Sequence, residues 1–264
     1  MKITALVENT SREGLKAVHG LSFYIETHLH RLLFDLGPDG TLFHNASRLG
    51  VDLAAVDTVV LSHGHYDHGG ALKKFLALNP SAKVYVQRTA FEPHYSKAGP
   101  FKLNIGLDPS LADAPNVVLL DGDCTIDEEL TLFTAKGEDT FRSEANRVLY
   151  GKNGPDGFNH EQDLLITENA AVLITGCAHA GVMRILQSAP GPRPAYCVGG
   201  FHVYNPVNRR TVSAGQLQTL SAALKENADV RFYTCHCTGQ KAFSYLQAQN
   251  ENVFYIAAGD VLDI

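Results

Sequence analysis

The chain has 264 residues, 45% hydrophobic and 19% charged, which is enough apolar material for a sizeable core and excludes a disordered tail. Its net charge of −6 lacks the basic excess that a nucleic-acid or anionic-membrane partner requires. No apolar run approaches the roughly 20 residues of a membrane helix, and residues 1–8 show no secretory leader, so the cytoplasm is the expected compartment.

Residues 2–8, 21–27 and 31–36 have the aliphatic and aromatic richness of a strand meander. Gly37-Pro38-Asp39-Gly40 marks a turn, 42–49 a helix closed by Gly50, and 58–61 a short apolar strand. Helical spacing runs over 71–78 and stops at Asn79-Pro80. A strand at 83–87 and a short helix over 89–97 follow. Residues 98–115 hold three prolines and two glycines and read as a long loop. Strands come next at 117–120 and 130–135. The stretch 136–162 is polar and Gly-rich without periodicity, as in a functional flap or a mobile segment. A hairpin over 164–167 and 171–175 leads into an alternating third: helix 182–187, strand 195–198, helix 213–227, strand 230–234, helix 240–249 and strand 253–256. Strands dominate early and helices later intersperse with them. This pattern predicts an α/β fold of two packed sheets covered by helices, one domain over 1–264.

Twelve histidines and five cysteines carry the chemistry. An odd number of widely spaced cysteines is no disulfide framework, and Cys124 and Cys197 read as reduced core residues. Residues 61–70 run Leu-Ser-His-Gly-His-Tyr-Asp-His-Gly-Gly, directly after a strand. Extended backbone puts His63 and His65 on one side. A turn into a helix at about 67–70 then points Asp67 and His68 at the same mouth. Four donors of the kinds that bind Zn²⁺ thus converge on one strand end.

Further donors follow later strands. His179 in Gly176-Cys177-Ala178-His179 and His236 in Cys235-His236-Cys237 are the candidate ligands, with Cys177 and, at lower rank, His160 as additional ones. Period two points Cys235 and Cys237 away from His236, so both read as packing residues. His202, in Gly199-Gly200-Phe201-His202, is a candidate general acid, ligand or substrate contact. His19, His28, His30 and His94 read as surface or core residues. Arg142, Arg147 and Lys152 read as ordinary solvated charges, with a phosphate contact as the alternative.

The motif His63-Gly64-His65-Tyr66-Asp67-His68 resembles that of the metallo-β-lactamase superfamily. Gly-Cys-Ala-His-Ala-Gly, Gly-Gly-Phe-His and His-Cys-Thr-Gly narrow the resemblance to the 7,8-dihydropterin-6-methyl-4-(β-D-ribofuranosyl)aminobenzene-5′-phosphate synthase-like branch, over about residues 2 to 258. The resemblance implies a four-layer αββα sandwich and two divalent metal ions. It places His63, His65 and His179 on one ion and Asp67, His68 and His236 on the other, with Asp35 orienting ligands. Zinc is the expected metal, since His65 stands where the flavin-associated di-iron branch has Glu; manganese and iron are alternatives. The superfamily's bridging Asp has no counterpart, and Gly176-Cys177 occupies the comparable strand end.

The expected activity is metal-dependent hydrolysis or group transfer, through a metal-bound hydroxide, on a small, anionic, phosphorylated or pterin-like substrate. Asp67 and His202 are the candidate catalytic residues. The alternative is a metal- or ligand-binding sensor without turnover. A nuclease ranks below both for want of a basic surface. The expected partner is a small molecule, with self-association left open.

Overall fold

The computed structural model describes residues 1–137 and 141–264. Two seven-stranded sheets face each other. In the first, the strand order is 261–263, 2–7, 22–26, 31–34, 58–60, 83–87, 117–120; in the second, it is 253–255, 231–234, 196–199, 171–174, 163–167, 130–133, 124–125.

Period-two alternation assigns each strand residue to a layer. Leu32, Phe34 and Val60 of the first sheet point inward and meet Leu164, Ile166, Val172, Ile174 and Val198 of the second. The residues between them point outward. Leu33, Val59 and Leu61 pack under the helices Thr41–Leu49 and Leu72–Leu78. Leu165, Leu173 and Cys197 pack under Val182–Ser188, Ala214–Glu226 and Gln240–Gln249. The result is the expected αββα sandwich. Each fully buried Phe in its centre, such as Phe23 or Phe34, contributes about 1.5–3 kcal/mol of transfer free energy. No helix among the described residues is long and apolar enough to cross a membrane.

Three expectations need correction. The segment 89–97 is not a helix but a 3-10 turn, Arg88–Phe91, followed by the strand Tyr95–Ala98. Pro93 is the reason: the residue before a proline is forced out of the helical region, and Glu92 is extended at ψ 163°. Residues 98–115 are not a plain loop either, because Tyr95–Ala98 forms a hairpin with Phe101–Asn104 and Asp108 caps a 3-10 turn over Pro109–Asp113. The stretch 136–162 contains the 3-10 turn Glu144–Val148 and the strands Leu149–Gly151 and Gly154–Pro155, which join the hairpin in a four-stranded sheet. Residues 138–140 of that stretch lie outside the described residues. The sequence also gave no signal for the strand Val261–Asp263, which pairs with Lys2–Val7.

Candidate metal centre

The parallel strands Thr58–Val60, Ala171–Ile174, Tyr196–Gly199 and Arg231–Thr234 all end at one rim of the sandwich. In α/β sheets such carboxyl ends are where ligands gather. Segments 61–70, 175–181, 200–203 and 235–239 leave from there. His65 is still extended (φ −91°, ψ 143°) and caps the helical turn Tyr66–Gly69, so the expected switch from strand to helix occurs within the motif.

The close approach of the segments depends on two absent side chains. A Cβ on Gly64 would stand 2.4 Å from the carbonyl oxygen of Ala90, and one on Gly176 would stand 2.2 Å from Ser62 Oγ. Strain collects at the same place. Asp35, Ala178, His202 and His236 have φ between 45° and 60°, a region that costs non-glycine residues about 1–3 kcal/mol each.

All six expected ligands come together, buried. His63 Nε2 lies 3.0 Å from His65 Nδ1, and these two form a donor group with His179. His68 Nε2 is 3.2 Å from His236 Nε2, while Asp67 Oδ2 is 3.4 Å from His236 Nε2 and 3.8 Å from His68 Nε2. Tetrahedral zinc with nitrogen ligands at about 2.0–2.1 Å needs neighbouring donors about 3.3 Å apart. These separations fit. Cys177 Sγ, 3.3 Å from His68 Nε2, also groups with His63 and His68, at the strand end where a bridging carboxylate was expected.

The outer faces of the imidazoles are held by oxygens. Asp35 Oδ2 is 2.6 Å from His68 Nδ1 and accepts from Ser62 Oγ at 2.7 Å, and Ser62 Oγ in turn lies 2.8 Å from His63 Nδ1. Asp35 therefore sits where an orienting aspartate should. Asn146 Oδ1 meets His179 Nδ1 at 2.9 Å, and Asn9 Oδ1 meets His236 Nδ1 at 3.0 Å. With Nδ1 protonated in this way, the Nε2 atoms of His63, His68, His179 and His236 face inward.

Electrostatics favour the same arrangement. Burial and then the neighbouring imidazoles hold His63, His65 and His179 well below the usual histidine range, so they are neutral donors at pH 7. His236 is lowered by burial and by His19. For His68 burial works downward, but Asp35 and Asp67 overcome it and push the group up to about 9. Burial works upward on Asp67, yet His68, His19 and His236 hold it well below the carboxylate range.

His202 lies against His179, ring centroids 4.0 Å apart, and neither of its ring nitrogens has a hydrogen-bond partner among the described residues. A cavity of about 410 Å³ opens over the cage. His65, Asp67, His179, His202 and His236 form its floor, and Tyr66, Leu103, Ile105, Leu149 and Val207 its walls. No Lys or Arg lines it among the described residues. Arg142 lines a second cavity, which shares only His179 with the first, while Arg147 and Lys152 are exposed.

Two histidine and cysteine readings change. His19, read as surface or core, has Nε2 3.2 Å from Asp67 Oδ2 and belongs to the cage rim. Cys237 is no simple packing residue. Alternation breaks because His236 has φ 50° and opens the 3-10 turn His236–Thr238, so Cys237 Sγ turns into the cavity and accepts from His202 N–H at 3.3 Å. Cys235 does pack between the sheets. His94 and His160 are buried together beside His65 with Asp156. Asn9, Ser62 and Asn146 carried no motif that could single them out, since each acts only through a distant imidazole or through its neighbour.

The metallo-beta-lactamase superfamily matches residues 15–138. An uncharacterised protein of Methanocaldococcus jannaschii is 27% identical over 266 residues, covering 99% of this chain and all of that one. The 7,8-dihydropterin-6-methyl-4-(beta-D-ribofuranosyl)-aminobenzene-5′-phosphate synthase of the same organism is 27% identical over 273 residues, 92% of this chain and 89% of its own length. Among solved structures, Tm1679, described as a metal-dependent hydrolase of the beta-lactamase superfamily, superposes with a TM-score of 0.83 at 26% identity, covering 100% of this chain and 99% of that one.

Proposed function

We propose, from its likeness to the metallo-beta-lactamase superfamily, that the chain is a metal-dependent hydrolase or group transferase acting on a small molecule. The observation that carries this reading is the donor cage: five imidazoles and one carboxylate buried together at one rim, with donor separations of 3.0 Å for His63–His65, 3.2 Å for His68–His236 and 3.4 Å for Asp67–His236. His63, His65 and His179 would hold one divalent ion, and Asp67, His68 and His236 a second, with Cys177 between them. Such a pair, when bound, would polarise a carbonyl or phosphoryl oxygen and lower the pKa of a bound water to about 7. Imidazole donors suit zinc, and manganese and iron are the alternatives.

The protein's own groups supply the remaining work. Asp67, besides binding metal, is oriented by His19 and can accept a hydrogen bond from an attacking water. His202 stands beside the cage with two free nitrogens and is the group placed to protonate a leaving group. The walls exclude water and offer apolar contact, so they suit a substrate with a flat or aliphatic body. With no Lys or Arg lining this cavity among the described residues, an anionic group on the substrate would have to meet the ions themselves. A pterin-like or phosphorylated substrate, as the name of the 27% identical relative suggests, fits this reading only on those terms. We place the protein in the cytoplasm, with no nucleic-acid partner.

The test joins two measurements. Purified protein should carry two metal equivalents by elemental analysis and turn over at least one member of a phosphoester, lactone and thioester panel. His65→Ala should lose at least one equivalent together with activity. Retention of both refutes the assignment. Metal without turnover on the whole panel supports the sensor reading instead.

A further inference from the structure

A histidine that binds metal through one ring nitrogen keeps a proton on the other, and an oxygen normally holds that N–H. Four of the five cage imidazoles obey this rule through Ser62, Asp35, Asn146 and Asn9. His65 does not. Its Nδ1 faces His63, and its Nε2 is buried without a hydrogen-bond partner among the described residues.

Next to His65 lie His94, Asp156 and His160, one donor atom of each within 4.8 Å of the others and of a His65 nitrogen. All four residues are at most 5% exposed. Asp156 Oδ2 is 3.1 Å from His94 Nδ1 and 3.3 Å from His160 Nε2, and Oδ1 accepts the N–H of Phe158 at 2.8 Å. The donor set suggests a third metal site, but proton counting opposes it. Gly64 N–H donates to His160 Nδ1 at 3.0 Å, so the single proton of neutral His160 sits on Nε2. That proton points at Asp156, where a metal would need a lone pair.

We propose that Asp156, gripped by His94 and His160, is the outer carboxylate of His65: one bridging water carries the hydrogen bond from His65 Nε2–H to Asp156 and fixes the tautomer that leaves Nδ1 free for metal. Donor atoms of the two residues lie within 4.8 Å of each other, and a single water with two hydrogen bonds of about 2.8 Å spans about 4.6 Å. A cavity of about 360 Å³, lined by His94, Asp156 and His160 and sharing no lining residue with the one over the cage, gives water a path to the carboxylate. Burial works upward on Asp156, but the hydrogen bonds from His160 and His94 hold it well below the usual range, so it stays ionised. Asp156 would then be a positioning residue for His65 as Asp35 is for His68. This inference rests on the cage reading of the preceding section.

Zinc affinity by chelator competition and histidine nitrogen NMR test it together. In D156N one of two zinc ions should bind about 10–100-fold more weakly, the range for loss of such a partner, and the other unchanged. D156E should restore part of the loss. The NMR spectrum of zinc-loaded wild type should show His65 protonated at Nε2 and bonded to water, and D156N should broaden or lose that signal. A folded D156N with both affinities at the wild-type level and an unaltered His65 signal overturns the inference. So does uptake of three zinc ions by wild type falling to two in D156N, which would make the cluster a metal site. If D156N does not fold, D156E and the wild-type spectrum decide on the same criteria. Failure of wild type to bind zinc at all overturns the cage reading and this inference with it, whereas failure confined to the variants overturns this inference alone.

Discussion

Gly176 shows how little room the cage leaves. The hydroxyl it faces, Ser62 Oγ, bonds both Asp35 and His63, so a methyl group 2.2 Å away has to displace a residue that two ligands depend on. Overpacking of this kind costs about 1–3 kcal/mol. Gly176→Ala is therefore expected to lower the melting temperature by several degrees and to weaken zinc binding at least about tenfold. Calorimetric melting and chelator competition check this; a variant with unchanged zinc affinity would show that Ser62 does not position His63. His19 and Cys237 belong to the same scale of argument. Their roles arise from where the chain turns, His19 through its contact with Asp67 and Cys237 through the left-handed backbone at His236. Nothing in their immediate sequence marks either turn.

Helices and strands that pack in the sandwich were readable because each has one dominant period. The strand Lys83–Gln87 and the helix Gln240–Gln249 match the sequence expectation to the residue. Hairpins that stand outside the sandwich were not readable, because their faces are not divided into a buried and a wet side. Phe101–Asn104 is exposed along its whole length, with Phe101 70% exposed and Leu103 48%. Together with Val207, from the loop joining the small strands Tyr204–Asn205 and Arg210–Thr211, Leu103 forms an apolar edge of the substrate cavity. If these walls hold the substrate's body, Val207→Asp should reduce kcat/KM for p-nitrophenyl octanoate about tenfold and leave p-nitrophenyl acetate unchanged, since one apolar contact discriminates by about 1–3 kcal/mol. Because Val207 is 42% exposed, its melting temperature should stay within a degree or two. Equal losses on both esters would assign the effect to the cage rather than to the wall.

The candidate donor cage also joins the two sheets. His63, His65 and His68 follow a strand of the first sheet, and His179 and His236 follow strands of the second. Glu8 and Asn9, just beyond the first strand, hold the backbone and ring of His236. Ions that bind only the folded state stabilise it by about 4 kcal/mol per site at a thousandfold excess over Kd. Removing them with a chelator is expected to lower the melting temperature by about 10 °C or more.

The metal-free protein should also respond to pH in a defined direction. His68 is raised in the folded state, to about 9, so its contribution is full below the unfolded value near 6.5 and is lost as pH rises through about 9. His63, His65, His179 and His236 are lowered and act oppositely, adding stability as pH rises toward 6.5. Stability of the metal-free protein should therefore peak near pH 6.5. Zinc uptake at pH 7.5 should release about one proton, from His68 Nε2, as read by calorimetry in buffers of different ionisation enthalpy. A monotonic stability curve, or zinc uptake without proton release, would contradict the charge state assigned to His68.

Local chemistry was enough to recognise a sandwich of strands and helices and to pick out the four candidate donors of residues 63–68, because a ligand motif packed into six residues needs no distant partner to be read, whereas His179 and His236 stood among several later candidates until the family likeness singled them out. The αββα layering and the pairing of donors with ions came from likeness to a known family, and the packing of the described residues agrees with the layering. The outer partners of the imidazoles, the inward turn of Cys237 and the neutral walls of the cavity could not be read in advance. They depend on residues up to 228 positions apart meeting at one rim, and such meetings are set by how two sheets dock, which no local period encodes.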